Sequence, residues 1–313
     1  MKNSEINTLL YASIYSSIVK KNIEYVKTLI DAGAKIDFSD ENGVTAWFIA
    51  ANSKLGGGDF ELLEILLKNG TNINALNKNN NTVLDEAIIY NKDGRVAEFL
   101  LKNGAIIDFK KDGKKPLLVQ ATSDDNFEIV KLLLAYGANP NSRSDDGKTA
   151  LISAAFNKNL RIIKELVKSG AEINIVDNGG HSPLSWAHDD LETLEYLLQN
   201  GADPDIDISP KKLHIIDNLN LGKSGSVLNK ACSKNNLDKA LLLLKYGANP
   251  NNQDYFMKAS PLHWACHHGN FMLVKELIER GANTKLKDVT GHTPAMKALE
   301  TGHKDIFDYL LLK

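Results

Sequence analysis

One phrase returns eight times in this chain: an apolar pair, two further residues, a glycine and then a small polar turn. It reads LIDAGAKID at Gly33, LLKNGTNIN at Gly70, LLKNGAIID at Gly104, LLAYGANPN at Gly137, LVKSGAEIN at Gly170, LLQNGADPD at Gly201, LLKYGANPN at Gly247 and LIERGANTK at Gly281. Successive glycines lie 37, 34, 33, 33, 31, 46 and 34 residues apart. A helical pattern with this period marks a solenoid, in which each unit buries its apolar face against its neighbours. One elongated array is therefore expected. Such an array presents a long surface without a single central pocket, which favours partner binding over catalysis.

A second signature runs in phase with the first. It appears as GVTAWFIAA (43–51), NNTVLDEAI (80–88), GKKPLLVQA (113–121), GKTALISAA (147–155), GHSPLSWAH (180–188), SGSVLNKAC (224–232), KASPLHWAC (258–266) and GHTPAMKAL (291–299). Thr45, Thr82, Thr149, Ser182, Ser226, Ser260 and Thr293 stand where a first helix begins, with hydroxyls able to accept from orphan N–H groups of the opening turn. Pro116, Pro183, Pro261 and Pro294 follow, where a missing N–H costs nothing. The alanines Ala50, Ala87, Ala154, Ala187, Ala231, Ala265 and Ala298 let neighbouring helices approach closely. A second helix then carries an apolar stripe, such as Ile129, Val130 and Leu133, and ends at the recurrent glycine, suited to the left-handed conformation of a helix end.

These segments resemble the ankyrin repeat. Its T-P-L-H-x-A signature is nearly verbatim in Ser260-Pro261-Leu262-His263-Trp264-Ala265, and the resemblance covers almost the whole chain. It implies an all-α, ankyrin-type helix-turn-helix solenoid with short hairpin loops and about nine stacked repeats. Their bounds are about 8–37, 45–74, 82–108, 116–141, 149–174, 182–205, 226–251, 260–284 and 293–313, with an insertion over 206–225 and a lead-in over 1–7. The single array would thus run over residues 1–313.

The formal charge of −2 and the absence of a basic block argue against nucleic acid or an anionic membrane as main partner. No apolar run is long enough to span a bilayer, and MKNSEINTLL lacks the features of a secretory signal. A cytoplasmic monomer is expected, or one delivered into a host cell. The abundant asparagines read as base composition of the gene plus turn chemistry. Cys232 and Cys266 occupy the same slot of adjacent units, 34 residues apart. Helices pack about 8–10 Å apart, beyond disulfide reach, so two separate buried thiols are expected. Trp47, Trp186 and Trp264 are assigned to the core.

Several groups suggest chemistry. His263, Cys266, His267 and His268 form an HxxCHH cluster that a competing reading makes a metal-dependent enzyme centre. The spacing meets neither zinc-site nor catalytic-triad geometry, and no second cysteine pair completes a ligand set. His188-Asp189-Asp190 falls at a solvated helix end, and Gly56-Gly57-Gly58-Asp59 lacks the Lys-Ser/Thr of a phosphate loop. No enzyme, metal or cofactor is expected.

The family resemblance places partners at hairpin tips and on the inner faces of first helices. Carried over within each unit, the tips include Glu41, Asn42, Lys111, Asp112, Asp145, Asp146, Phe256 and Met257, and the helix positions include Ile89, Tyr90, Phe156, Asn157, His267 and His268. Tyr255, Phe256, Met257, His267, His268 and His292 are expected to share one concave region, and Tyr90 and Phe156 extend the candidate protein-binding set. The expected function is non-enzymatic binding of an unidentified protein as scaffold, inhibitor or effector. The 206–225 insertion mixes Ile208, Leu213 and Ile216 with Lys211, Lys212 and Asp217, either as a second binding loop or as a finger packed on an array that bends there.

Overall fold

The computed structural model describes residues 3–20, 23–51, 59–90, 94–107, 115–187, 190–206 and 226–313, with the side chains of 3–4, 14–20 and Tyr90 excepted. Residues 207–225 of the insertion, the glycine run, His188, Asp189, Lys111 and Asp112 lie outside these residues. The chain divides into two compact units, Met1–Ser142 and Arg143–Lys313. Among the described residues both contain only paired helices, apart from an isolated bridge between Ser39 and Thr45.

The first unit holds α1 (Asn3–Lys20), α2 (Ile23–Asp31), α3 (Ala46–Ala51), α4 (Phe60–Lys68), α5 (Val83–Tyr90), α6 (Arg95–Lys102), α7 (Leu117–Ser123) and α8 (Phe127–Ala135). α1 begins at Asn3, so most of the expected lead-in is helical. The second unit holds first helices α9 (Ala150–Phe156), α11 (Pro183–Trp186), α13 (Val227–Ser233), α15 (Pro261–His267) and α17 (Pro294–Glu300). Their second helices are α10 (Leu160–Lys168), α12 (Leu191–Gln199), α14 (Leu237–Lys245), α16 (Phe271–Glu279) and α18 (Lys304–Leu311). Each pair packs on itself, while α9 contacts α11, and α15 lies between α13 and α17.

The local chemistry accounts for the boundaries. Thr149, Ser182, Ser226, Ser260 and Thr293 each accept a hydrogen bond from the backbone N–H three residues on. Pro183, Pro261 and Pro294 stand in the first turn, whereas Pro116 is itself the residue preceding α7. Thr45 departs from the expectation, since its buried hydroxyl caps nothing. All eight repeat glycines adopt φ between 84° and 92°, and a Cβ added at any of them would meet no atom within 4 Å. The left-handed backbone, not space, is what calls for glycine.

Asparagine turns out to have two structural tasks beyond loose turn chemistry. Asn126, Asn159, Asn236 and Asn270 cap second helices, accepting from Ile129, Ile162, Lys239 and Leu273 N–H. Others tie each turn to the next repeat. Ile106 N–H donates to Asn74, Asp203 N–H to Asn174 and Asn283 N–H to Asn251, while Asn174 and Asn251 donate onward to the Gly201 and Gly281 carbonyls. Asp205 takes the same place before the insertion, accepting from Asn249 N–H at 3.0 Å and from Asn252. Glu195 on α12 meets Lys245 on α14 at 3.0 Å. The rung thus crosses the 46-residue step with the contacts used elsewhere.

Fully buried Leu62, Leu66, Leu100, Ile129 and Leu133 form the core of the first unit, with Trp47 in the leucine slot. Leu151, Ile163, Leu184, Leu197, Leu228, Leu262 and Leu277 do so in the second. Cys232 and Cys266 are free and buried, as expected. Burial pushes the Cys232 thiol up to about 12 and raises Cys266 further, so neither supplies a thiolate near neutrality.

Candidate protein-binding face

The first helices of the second unit bury one side and turn the other outward. On α15, Leu262, His263, Ala265 and Cys266 are buried, while Trp264, His267 and His268 form the outward face. Trp264 is therefore part-exposed, and so is Trp186 in the same slot of α11; only Trp47 lies in the core as expected.

The hairpin before α15 is the departure that builds the site. Thirteen residues separate Gly247 from Ser260, against twelve between Gly281 and Thr293 or Gly137 and Thr149. The extra residue lengthens the tip, where Lys258 takes φ 49° in place of the glycine used at Gly147, Gly180 and Gly291. It leaves Tyr255, Phe256 and Met257 66%, 48% and 40% exposed. Asp254 fastens this tip to the helix, accepting Met257 N–H at 2.7 Å through Oδ1 and the Trp264 indole N–H at 3.1 Å through Oδ2. Rings of His267 and His268 lie 5.9 and 6.4 Å from that of Trp264. His268 Nε2 reaches the Ser233 carbonyl of the preceding repeat at 2.9 Å. Burial, with His268 and Lys297 nearby, holds the His267 imidazole below the usual histidine range.

Five of the eight expected residues thus belong to one connected group from the tip to the end of α15, and Trp264, assigned to the core, is its hub. The longer glycine-to-serine spacing was the sequence signal for it. His292 sits on the next hairpin, its carbonyl 3.1 Å from His263 Nε2 and its Nδ1 3.4 Å from Glu300. Phe156, 59% exposed, belongs to a separate cluster, with its ring 4.9 Å from Trp186, which also meets His181 at 4.7 Å. Tyr90 is in the first unit, and its side chain is outside the described set. Among the other tips, Asn42 and Asp146 carbonyls accept from Lys78 and Asn178 N–H, as Met257 does from Val289, joining neighbouring hairpins.

The HxxCHH segment separates into unrelated roles. His263 engages Ser260 through Nδ1 and the His292 carbonyl through Nε2, the same support given by Asn229 one repeat earlier to the Asn252 and Ala259 carbonyls. Cys266 is inside the core, and His268 is turned to Ser233. Among the described residues, no three His, Cys, Asp or Glu side chains are grouped to hold a metal ion.

Four matches to a family model described as ankyrin repeats (3 copies) span residues 9–112, 53–144, 117–208 and 228–313, the first three overlapping in succession. The chain belongs to the ankyrin-repeat family. Cyclin-dependent kinase 4 inhibitor B of Mus musculus is 31% identical over 124 residues, covering 40% of this chain and 85% of that protein. The potassium channel GORK of Arabidopsis thaliana is 37% identical over 87 residues, 28% of this chain and only 10% of the channel. The matched segment is likewise 8% of the SMC5-SMC6 complex localization factor protein 1 of Bos taurus, at 36% identity over 28% of this chain. The ankyrin repeat domain of Bcl-3, a solved structure, superposes with a TM-score of 0.58 at 26% identity, covering 74% of this chain and 99% of that domain. Ankyrin repeats are protein-interaction modules, and among the described residues no helix is long and apolar enough to cross a membrane.

Proposed function

We propose that the chain is a non-catalytic binding protein that engages a partner protein through the outward faces of its first helices and its hairpin tips. The site centres on Tyr255, Phe256, Met257, His267 and His268, with His292 beside it. One observation carries this reading: the lengthened tip holds three large apolar side chains in solvent while Asp254 fixes it to Trp264. Exposed aromatic and methionine side chains gain nothing from water and are enriched at interface centres. Phe156 on Trp186 extends the candidate surface within the second unit, and Tyr90 is a separate candidate in the first. The protein is read as a cytoplasmic monomer; two free thiols fit a reducing compartment.

An inhibitor or effector that occludes a partner enzyme is the second form of this reading. The relative named as a kinase inhibitor favours it, since the shared segment spans most of that protein. The test is affinity capture from the native cell with mass spectrometry, comparing the wild type with Phe256→Ala/Met257→Ala/His268→Ala. The triple variant should lose a partner that the wild type retains, by about 2 kcal/mol or more, at an unchanged melting temperature. Retention of every captured protein by the variant would remove the site from this region.

A further inference from the structure

Hairpin tips change character along the chain. Eight residues after the repeat glycine, five earlier repeats carry Glu41, Lys78, Asp112, Asp145 and Asn178, all polar, whereas the last two hairpins carry Tyr255 and Val289. Val289 is 56% exposed and joins Tyr255, Phe256 and Met257 as the large apolar side chains of these two tips. Two hydrogen bonds clamp one tip to the other. The Val289 N–H donates to the Met257 carbonyl at 2.7 Å, and the Gln253 side-chain amide donates to the Lys287 carbonyl at 2.9 Å while also reaching the Lys258 carbonyl of its own hairpin. The rings of Tyr255 and Phe256 pack edge to face at 5.9 Å. The two tips form one platform.

Charge is sorted around this platform. Lys258 and Lys287 are exposed, and the Gln253 amide, bonded to both of their carbonyls, sets the two residues side by side. The neighbouring carboxylates are turned into the protein. Asp254 accepts from the Met257 N–H and the Trp264 indole, and buried Asp288 accepts from the Thr290 and His292 N–H groups. Spacing then selects the shape of a ligand. Neighbouring repeats stand about 10 Å apart. A helix rises about 1.5 Å per residue, so side chains seven apart recur on one face after about 10.5 Å and reach both tips. An extended chain repeats one face only every two residues, about 6.7 Å. It also needs backbone partners, which the Met257 carbonyl and Val289 N–H have already given to each other.

Resting on the partner-binding reading above, we infer that the two tips take an amphipathic helix of the partner protein. Its apolar stripe lies across Phe256, Met257 and Val289, and its Asp or Glu residues stand beside Lys258 and Lys287. Burial of the stripe supplies affinity, while the carboxylates set the direction of the helix and the choice of partner. Two lysines fall short of the about four to eight cations that mark an anionic-lipid site, so a protein helix fits better than a bilayer.

The test is selection of two displayed libraries on the full chain, a helical scaffold randomised on one face and an unstructured peptide, with fluorescence anisotropy of the recovered binders. Helical binders should dominate, carrying apolar residues at i, i+3 or i+4 and i+7 with Asp or Glu beside them. Phe256→Ala/Val289→Ala should weaken them about thirtyfold, through loss of central apolar anchors. Lys258→Glu/Lys287→Glu should weaken them about tenfold, and less at high salt. Peptides remade with Lys in place of Asp and Glu should prefer that variant to the wild type. Circular dichroism should show both variants folded. Absence of helical binders, indifference to the lysine reversal, or failure of the remade peptides would overturn the inference. So would tighter binding of phosphatidylcholine–phosphatidylserine vesicles, lost in both variants, which would assign the tips to a membrane. If a captured native partner is lost by Phe256→Ala/Met257→Ala/His268→Ala but kept by Lys258→Glu/Lys287→Glu, the inference falls and the proposed function stands. If neither variant loses it, both fall.

Discussion

Helices α13 and α15 occupy successive repeats and agree at three of their five buried slots. Leu228 matches Leu262, Ala231 matches Ala265 and Cys232 matches Cys266, all buried, and Asn229 and His263 both reach carbonyls of the following hairpin. At the outward slots they share nothing: Lys230, Ser233 and Lys234 face Trp264, His267 and His268. The buried slots are constrained from two sides by neighbouring helices, where interiors pack at crystal-like density and a change of one methylene is felt. The outward slots meet only solvent or a partner. A difference confined to them is therefore a difference in the surface each repeat presents.

If the two cores are equivalent, Leu228→Ala and Leu262→Ala should each destabilise the protein by about 2–5 kcal/mol through an unfilled cavity. Chemical denaturation measures this, and a clearly smaller loss at either site would break the equivalence. The inter-repeat bonds should matter less. Asn229→Ala and His263→Ala each leave buried polar backbone groups without their partner, at a cost of about 1–3 kcal/mol. Unequal losses would show that amide and imidazole are not interchangeable supports.

The smallest effect sharpens the comparison most, because only one of the two supports can titrate. Burial holds the His263 imidazole below the usual histidine range despite its bond to the His292 carbonyl. The unfolded chain protonates its histidines near pH ~6.5. Below that pH the unfolded state binds more protons than the folded one, so stability is full above it and falls as pH drops towards the folded value. His267, shifted in the same direction, adds to the loss. The melting temperature should therefore be lower at pH 5.5 than at pH 7.5. His263→Asn, copying Asn229, should flatten that dependence; an unchanged slope would exclude His263 as its source.

The sequence alone determined what depends on a few adjacent residues: the helix starts at Ser260 and Thr293, the left-handed glycines that end the second helices, and the buried slots of Cys232 and Cys266. Caps, turns and amphipathic stripes act over one or two helical turns, so their signals survive in a linear reading. Tertiary structure decided the rest. Asn174 and Asn251 became rungs only because the next turn, 27 to 32 residues later, stands beside them. Asp205 keeps that rung across the long step, although Asn249 is 44 residues distant. Trp264 looks like core in a periodic reading, but Asp254 and the lengthened hairpin hold it at the surface. The near-neutral composition likewise said nothing of where each charge stands, because charge sums along a chain while recognition depends on which side of a helix each charge occupies.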